Sequence, residues 1–230
     1  QLAAGVAHEI NNPLAIVLTE RQILLDMASN GGAGEAAFQE QFQQSMNQVH
    51  TQVQRCKRIT QNLLRFSRRT HSVIEPVDVN GFLGEVVELM EREARASGVK
   101  FFEEYEAELA AILSDPSQLQ QVFLNLITNA IDAHEGKPYG SIRLATASVR
   151  EGGADGVRIE IADSGCGIPA ENLERIYEPF FTTKPEGKGT GLGLAICYSI
   201  IRRLGGTMEV ESQVGAGTRF ILFLPATPPR

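Results

Sequence analysis

The stretch Asp115-Pro116-Ser117-Gln118-Leu119-Gln120-Gln121-Val122-Phe123-Leu124-Asn125-Leu126-Ile127-Thr128-Asn129-Ala130-Ile131-Asp132-Ala133-His134 decides the fold. Asp115 reads as an N-cap and Pro116 as the first helical residue, because a cap carboxylate accepts from orphan N–H groups and proline has no N–H to leave unpaired. The helix predicted from there to about His134 repeats amides at Gln121, Asn125 and Asn129, four apart and therefore on one face. Asparagine is a poor helix former, so its recurrence asks for a use. Amide oxygens can ligate a hard cation and amide hydrogens can meet phosphate oxygens. A plain polar helix face is the alternative.

Upstream of that helix, Glu75-Pro76 marks a boundary, since the residue before proline resists helix and proline cannot continue one. Val77–Val79 then reads as a short strand, Asn80 as an N-cap, Gly81–Ser97 as a helix, and Val99–Tyr105 and Leu109–Leu113 as strands. Downstream, Ser141–Val149 and the alternating Val157–Ala162 read as strands, Gly191–Leu204 as a helix, and Thr207–Glu211 with Thr218–Leu224 as a closing hairpin. Strands without regular βαβ alternation predict an α+β two-layer sandwich over residues 75–230.

Residues 1–74 differ in kind. Leu2–Met27 is rich in helix formers, and Ser29-Asn30-Gly31-Gly32-Ala33-Gly34 interrupts it. From Glu35 to His71 the apolar residues Phe38, Phe42, Met46, Val49, Val53, Cys56, Ile59, Leu63 and Phe66 recur at steps of three and four. That seam would run for roughly 55 Å at ~1.5 Å per residue, the pattern of a long bundle helix. Two such helices predict an antiparallel hairpin, and a lone hairpin buries one side of each helix. Pairing with a second copy into a four-helix bundle, a homodimer, would complete the core. Arg55, Lys57, Arg58, Arg65, Arg68 and Arg69 stand without an acid between Thr51 and Ile74, either as a solvated face or as a surface for an acidic protein.

The 230 residues carry a net charge of −7, which argues against nucleic acid as a partner. No apolar run is long enough for a bilayer span. Cys56, Cys166 and Cys197 are odd in number and far apart, so neither a disulfide framework nor a zinc site is expected, and a reducing compartment is the simplest setting. The first residue is Gln, and the sequence reads as a piece of a longer chain.

Three further stretches carry chemistry. His8-Glu9-Ile10-Asn11-Asn12-Pro13 lies on the first helix, where residues 8, 12, 15, 19, 22 and 26 form a mostly polar stripe. His8 is expected to face solvent, Glu9 to fix its tautomer and raise its basicity, and Pro13 to kink the helix one turn on. An ordinary surface histidine is the bland alternative. Asp163-Ser164-Gly165-Cys166-Gly167-Ile168-Pro169 follows an alternating strand, so a flat ligand could approach the glycine backbone while the carboxylate accepts from it. Gly165, Gly167 and Ala170 also fit a dinucleotide-binding pattern, although Pro169 is awkward there and no second strand ending in an acid follows. Gly187-Lys188-Gly189-Thr190-Gly191-Leu192-Gly193-Leu194 could cradle phosphates on backbone N–H groups at a helix start, or serve as a linker; it lacks P-loop spacing.

Together and in this order these stretches resemble the two-component sensor histidine kinases. His8–Pro13 resembles the H-box, Asn125–Ala133 the N-box, Asp163–Ile168 the G1 box, Glu178-Pro179-Phe180-Phe181 the F-box and Gly189–Leu194 the G2 box. The resemblance implies a dimerisation and histidine phosphotransfer hairpin followed by a GHKL-type ATP-binding domain. It implies ATP and Mg2+ as cofactors, a response-regulator receiver domain as partner and a cytoplasmic setting, with no membrane contact from this segment. In site terms it implies His8 as phospho-acceptor, Glu9 as its base, and Asn12 as the residue that positions water for dephosphorylating the receiver. Asn125 would hold Mg2+, Asn129 would contact phosphates or ribose, and Asp163 would accept from the adenine amino group, with Gly165, Gly167 and Thr218 beside the base. Lys184, Lys188, Gly189, Gly191 and Gly193 would meet phosphates, Phe180 and Phe181 would pin a lid, and Asp132, Ile168, Thr190 and Leu192 would border the nucleotide. Gln121 stands where some GHKL relatives place a water-activating Glu, which suits a kinase that keeps water from ATP. A GHKL ATPase that is no kinase and a degenerate dimeric scaffold are the competing readings.

Overall fold

A computed structural model describes residues 2–30, 35–67, 73–134, 139–184 and 189–228, and of 2–9, 30, 35–37, 55, 58, 59 and 61–67 the backbone alone. The chain divides into two compact units: Gln1–Arg69 with Thr182–Thr190, and Thr70–Phe181 with Gly191–Arg230.

In the first unit, helix α1 (Leu2–Asn30) packs against α2 (Glu35–Ser67). Helix α1 runs as one helix through Pro13, and its end falls three residues beyond Met27. The Gly31–Gly34 break and the predicted helix beyond Ser67 lie outside the described residues. Among the described side chains, the hairpin leaves apolar residues of both helices in solvent. Phe42 (43%), Met46 (43%) and Val53 (50%) of the seam stay exposed, as do Leu14, Leu18 and Leu25 on α1, whereas Ser45 and Gln52 are buried.

The second unit opens with β1 (Glu75–Val77), which pairs antiparallel with β3 (Ile112–Ser114). Helix α3 (Val79–Ala96) is capped by Asp78, whose carboxylate accepts from the N–H groups of Asn80 and Gly81. Asn80 is therefore not the cap that the sequence suggested. Its amide instead donates to the Glu106 carbonyl at 2.8 Å and accepts from the Thr146 hydroxyl at 2.7 Å. Helix α4 (Pro116–Asp132) begins as read: Asp115 accepts from Ser117 N and Gln118 N, with Pro116 in the first turn.

The main sheet has the order β2-β4-β5-β7-β6, with β2 (Val99–Glu104) parallel to β4 (Gly140–Glu151). The other pairs, β4 with β5 (Ala154–Asp163), β5 with β7 (Gly217–Pro225) and β7 with β6 (Thr207–Gln213), are antiparallel. Gly152 and Gly153, both at positive φ, make the two-residue turn between β4 and β5, as twist-matched hairpins require. Between β5 and β6 the chain forms the short α5 (Ala170–Leu173), which the sequence reading did not anticipate, and α6 (Gly193–Arg203).

Alternation on β4 turns Ile142, Leu144 and Thr146 inward. There Ile142 and Leu144 join one core with Leu83 of α3, Leu119, Phe123 and Leu126 of α4, and Ile201 of α6. Helices lie against one face of the sheet, giving two layers. A charged row crosses all five strands: Glu104–Arg143 (3.0 Å), Arg143–Glu160 (3.3 Å), Glu160–Arg219 (3.5 Å) and Arg219–Glu211.

Candidate active site

Helix α4 ties together the glycine-rich stretches of the second unit, one at its C-terminal end and one at its middle. At its C-terminal end the Ala133 carbonyl accepts from Cys166 N at 2.9 Å, which lays the Asp163–Pro169 loop against the last turn. Eight residues earlier, the Asn125 amide nitrogen lies 3.4 Å from the Gly193 carbonyl at the start of α6. The same side chain also reaches Cys197, whose thiol is pushed up to about 12 by complete burial despite the opposing pull of the Asn125 amide. Asn129 is half-buried and Asp132 exposed on the turns between.

Asp163 ends β5, where its carboxylate accepts from Gly165 N at 2.7 Å. Thr218 is its cross-strand partner on β7 and is buried. Ser212 braces this corner: its hydroxyl accepts from Ile168 N (2.8 Å), donates to the Gly217 carbonyl (2.9 Å) and meets the Thr218 hydroxyl (2.9 Å). Asp163, Gly165, Gly167, Ile168 and Thr218 are thus brought together. The glycines are needed there. A β-carbon on Gly165 would strike Ala133, and one on Gly167, at φ +73°, would strike the Gln213 carbonyl. Ser212 and Gly217 escaped the sequence reading, although Gly215 and Gly217 flanking Ala216 beside Thr218 were a usable signal.

Helix α6 starts at Gly193 rather than at Gly191, because Gly191 sits at φ +63° against the Phe180 backbone. Leu192 precedes the helix and its apolar side chain caps none of the first-turn N–H groups of α6. Phe180, the one described non-glycine residue at positive φ (71°), donates its N–H to Gly191 at 2.8 Å. A bulky side chain in that conformation stores strain of about 1–3 kcal/mol. The Arg175 guanidinium lies 4.4 Å from the Phe181 ring centroid, a cation–π contact that the sequence did not announce. Tyr177, packed on Tyr198 with ring centroids 4.8 Å apart, has its phenol pushed up to about 12, chiefly by burial.

The remaining predicted residues fall elsewhere. His8 and Glu9 lie on α1, described by backbone alone, so the expected solvent-facing imidazole lies outside the described side chains. Asn12 is half-buried on the same helix. Lys184, Gly189 and Thr190 belong to the segment grouped with the first unit, and Lys188 lies outside the described residues. Among the described residues no cluster of three or more His, Cys, Asp or Glu could hold a metal. No described helix is long and apolar enough to cross a membrane.

Residues 114–228 match the family described as histidine kinase-, DNA gyrase B-, and HSP90-like ATPase, and residues 1–72 match the His Kinase A (phospho-acceptor) domain. The chain belongs to the two-component sensor histidine kinases. It is 38% identical to the sensor histidine kinase ZraS of Escherichia coli O157:H7 over 97% of its own length and 45% of that protein's. With the sensor kinase CckA of Brucella abortus it shares 37% identity over 98% of its length and 24% of that protein's. The chain therefore spans less than half the length of these curated relatives. Among solved structures, the catalytic domain of histidine kinase ThkA aligns at a TM-score of 0.59 and 35% identity, covering 68% of this chain and 97% of that one. ThkA in complex with the response regulator protein TrrA aligns at a TM-score of 0.72 and 28% identity, covering 99% of this chain and 61% of that one.

Proposed function

We propose that this chain is the kinase core of a cytoplasmic signalling protein, which phosphorylates its own His8 from ATP and passes the phosphoryl group to an Asp of a response-regulator receiver domain. The observation that carries the reading is α4 bridging two complementary ends. A carboxylate and glycine corner at Asp163 suits a flat base, and α6, with no side-chain cap, offers N–H groups to phosphates. The Ala133 and Asn125 anchors are about 12 Å apart along the helix at ~1.5 Å per residue, a separation that a nucleoside triphosphate can span from base to phosphates.

The donor set fits the nucleotide and its metal. The Asp163 carboxylate accepts from the 6-amino group of adenine, where guanine presents a carbonyl oxygen, and so selects adenine over guanine. Asn125 donates its amide N–H to Gly193 and keeps its oxygen, a hard donor, for Mg2+; with so few protein ligands at hand, phosphates and water would complete the shell. Asn129 and Asp132 line the same helix toward the ribose and phosphates. Bound ATP with Mg2+ supplies the transferable phosphoryl group and neutralises its charge.

The chain's own residues do the rest. A ring nitrogen of His8 takes the phosphoryl group, and Glu9 orients the imidazole and receives its proton. Rate enhancement comes from positioning and charge neutralisation, as loose phosphoryl transfer requires. Asn12, one turn on from His8, positions water for dephosphorylating the receiver, which makes the protein a phosphatase as well. The exposed apolar residues of α1 and α2 support assembly as a homodimer through a four-helix bundle.

Incubating the chain with γ-labelled ATP, followed by acid and base stability of the label, tests this directly. An acid-labile, base-stable label that His8→Gln abolishes while nucleotide binding persists is the expected result. ATP hydrolysis without labelled protein would replace the reading with a GHKL ATPase. Mg2+-dependent nucleotide binding should fall with Asn125→Ala more than with Asn129→Ala, and the reverse order would move the metal one turn along α4.

A further inference from the structure

His134 follows the C-cap of α4 and is 1% exposed, yet the reactions above leave it unused. Its Nδ1 lies 2.7 Å from the Ala130 carbonyl, one of the last-turn carbonyls that a helix leaves unpaired. A carbonyl only accepts, so Nδ1 carries the hydrogen, and in the neutral ring Nε2 is then an acceptor. Nε2 lies 3.0 Å from the Ser164 hydroxyl, which in turn accepts from Ser141 N at 3.0 Å. The polarity is consistent along the chain: Ser141 N–H to Ser164, Ser164 O–H to His134, His134 N–H to Ala130. The ring also lies flat against Gly140, where a β-carbon would overlap its Cδ2 atom. One imidazole therefore joins the end of α4, the start of β4 and the residue that follows Asp163.

We propose that His134 is a positioning residue of the nucleotide site: its imidazole, held on the Ala130 carbonyl through Nδ1, clamps Ser164 through Nε2 and thereby sets where the Asp163 carboxylate points. The inference rests on the reading of Asp163 as the acceptor for the adenine amino group. It assigns the ATP-over-guanine preference of this chain partly to a residue that never touches the base.

The test uses the full chain, with autophosphorylation kinetics for ATP and binding of ATP and GTP. Ser164→Ala and His134→Phe should each raise the KM for ATP about tenfold, the effect of one lost hydrogen bond, and narrow the preference over GTP, with kcat within about twofold. The paired variant should be no worse than the more affected single one, because both remove the same link. His134→Gln, which can still accept from Ser164, should recover part of the loss. Multiplying losses in the pair, or variants that melt earlier with KM and base preference as in the parent, would overturn the proposal. If His134→Phe does not fold, Ser164→Ala and His134→Gln carry the test. Asp163→Ala, which keeps no side-chain acceptor, separates the two layers. If it binds ATP as the parent does, the base reading falls and the positioning role with it. If it loses binding while the His134 and Ser164 variants keep their KM, only the positioning role falls.

Discussion

Phe123 on α4 is fully buried, whereas Phe42 on α2 is 43% exposed, although both sit on amphipathic helices. The contrast holds element by element. In the α/β unit, three helices cover one sheet face and the largest apolar side chains disappear from solvent. In the hairpin, Leu18 and Val53 remain in water while Ser45 and Gln52 occupy the interior. A sheet with a helical layer closes its own core, but two helices have no third surface to close against. The α/β unit thus buries its large apolar side chains within one chain, whereas the hairpin leaves Leu18, Phe42 and Val53 in solvent.

The sharpest way to break this comparison is Phe123→Ala, which should cost the α/β unit about 3–5 kcal/mol in denaturant unfolding. A loss below about 1 kcal/mol would mean that the core is not closed as described. Val53→Ala in the hairpin should leave that transition unmoved. It should instead lower a hairpin transition whose midpoint rises with protein concentration, as association requires. A concentration-independent midpoint would count against the homodimer.

Next in size is Asp115→Ala. The buried carboxylate accepts from two backbone N–H groups, the Ser117 hydroxyl and the Gln118 amide, so its removal should cost about 1–2 kcal/mol by the same measurement. The smallest effect concerns Glu106, whose carboxylate accepts from Ser148 N (2.6 Å) and the Ser148 hydroxyl (2.8 Å) and is thereby held below its ordinary value of 4.5. A lowered folded-state value adds stability above the unfolded value and loses it as pH falls through the folded one. Stability of Glu106→Gln should therefore fall less steeply than that of the parent below about pH 4.5. Identical slopes would show that the Ser148 contacts do not persist in solution.

Legibility followed locality. Asp115 and Pro116 announced α4 because a cap and its first turn are contiguous. Asn80 misled because Asp78 competes two residues earlier with the stronger acceptor, which freed the Asn80 amide for partners 26 and 66 residues away. The G1 stretch showed its glycines, but the reason for Gly165 is Ala133, and the brace on Thr218 is Ser212. Such pairings are tertiary, and no local spacing encodes them. His134 was invisible for the same reason: its three partners come from α4, β4 and the end of β5. The parallel pairing of β2 with β4 likewise depends on how α4 crosses between them.

The row Glu104, Arg143, Glu160, Arg219 and Glu211 has a consequence for crowding. Stacking two of these sheets face to face would strip water from five ionised groups on each, a desolvation that their mutual attraction does not recover. The row works as a non-stick coating. Sticky contacts between copies are steered away from the strands, so the chain can be abundant without its sheets clumping.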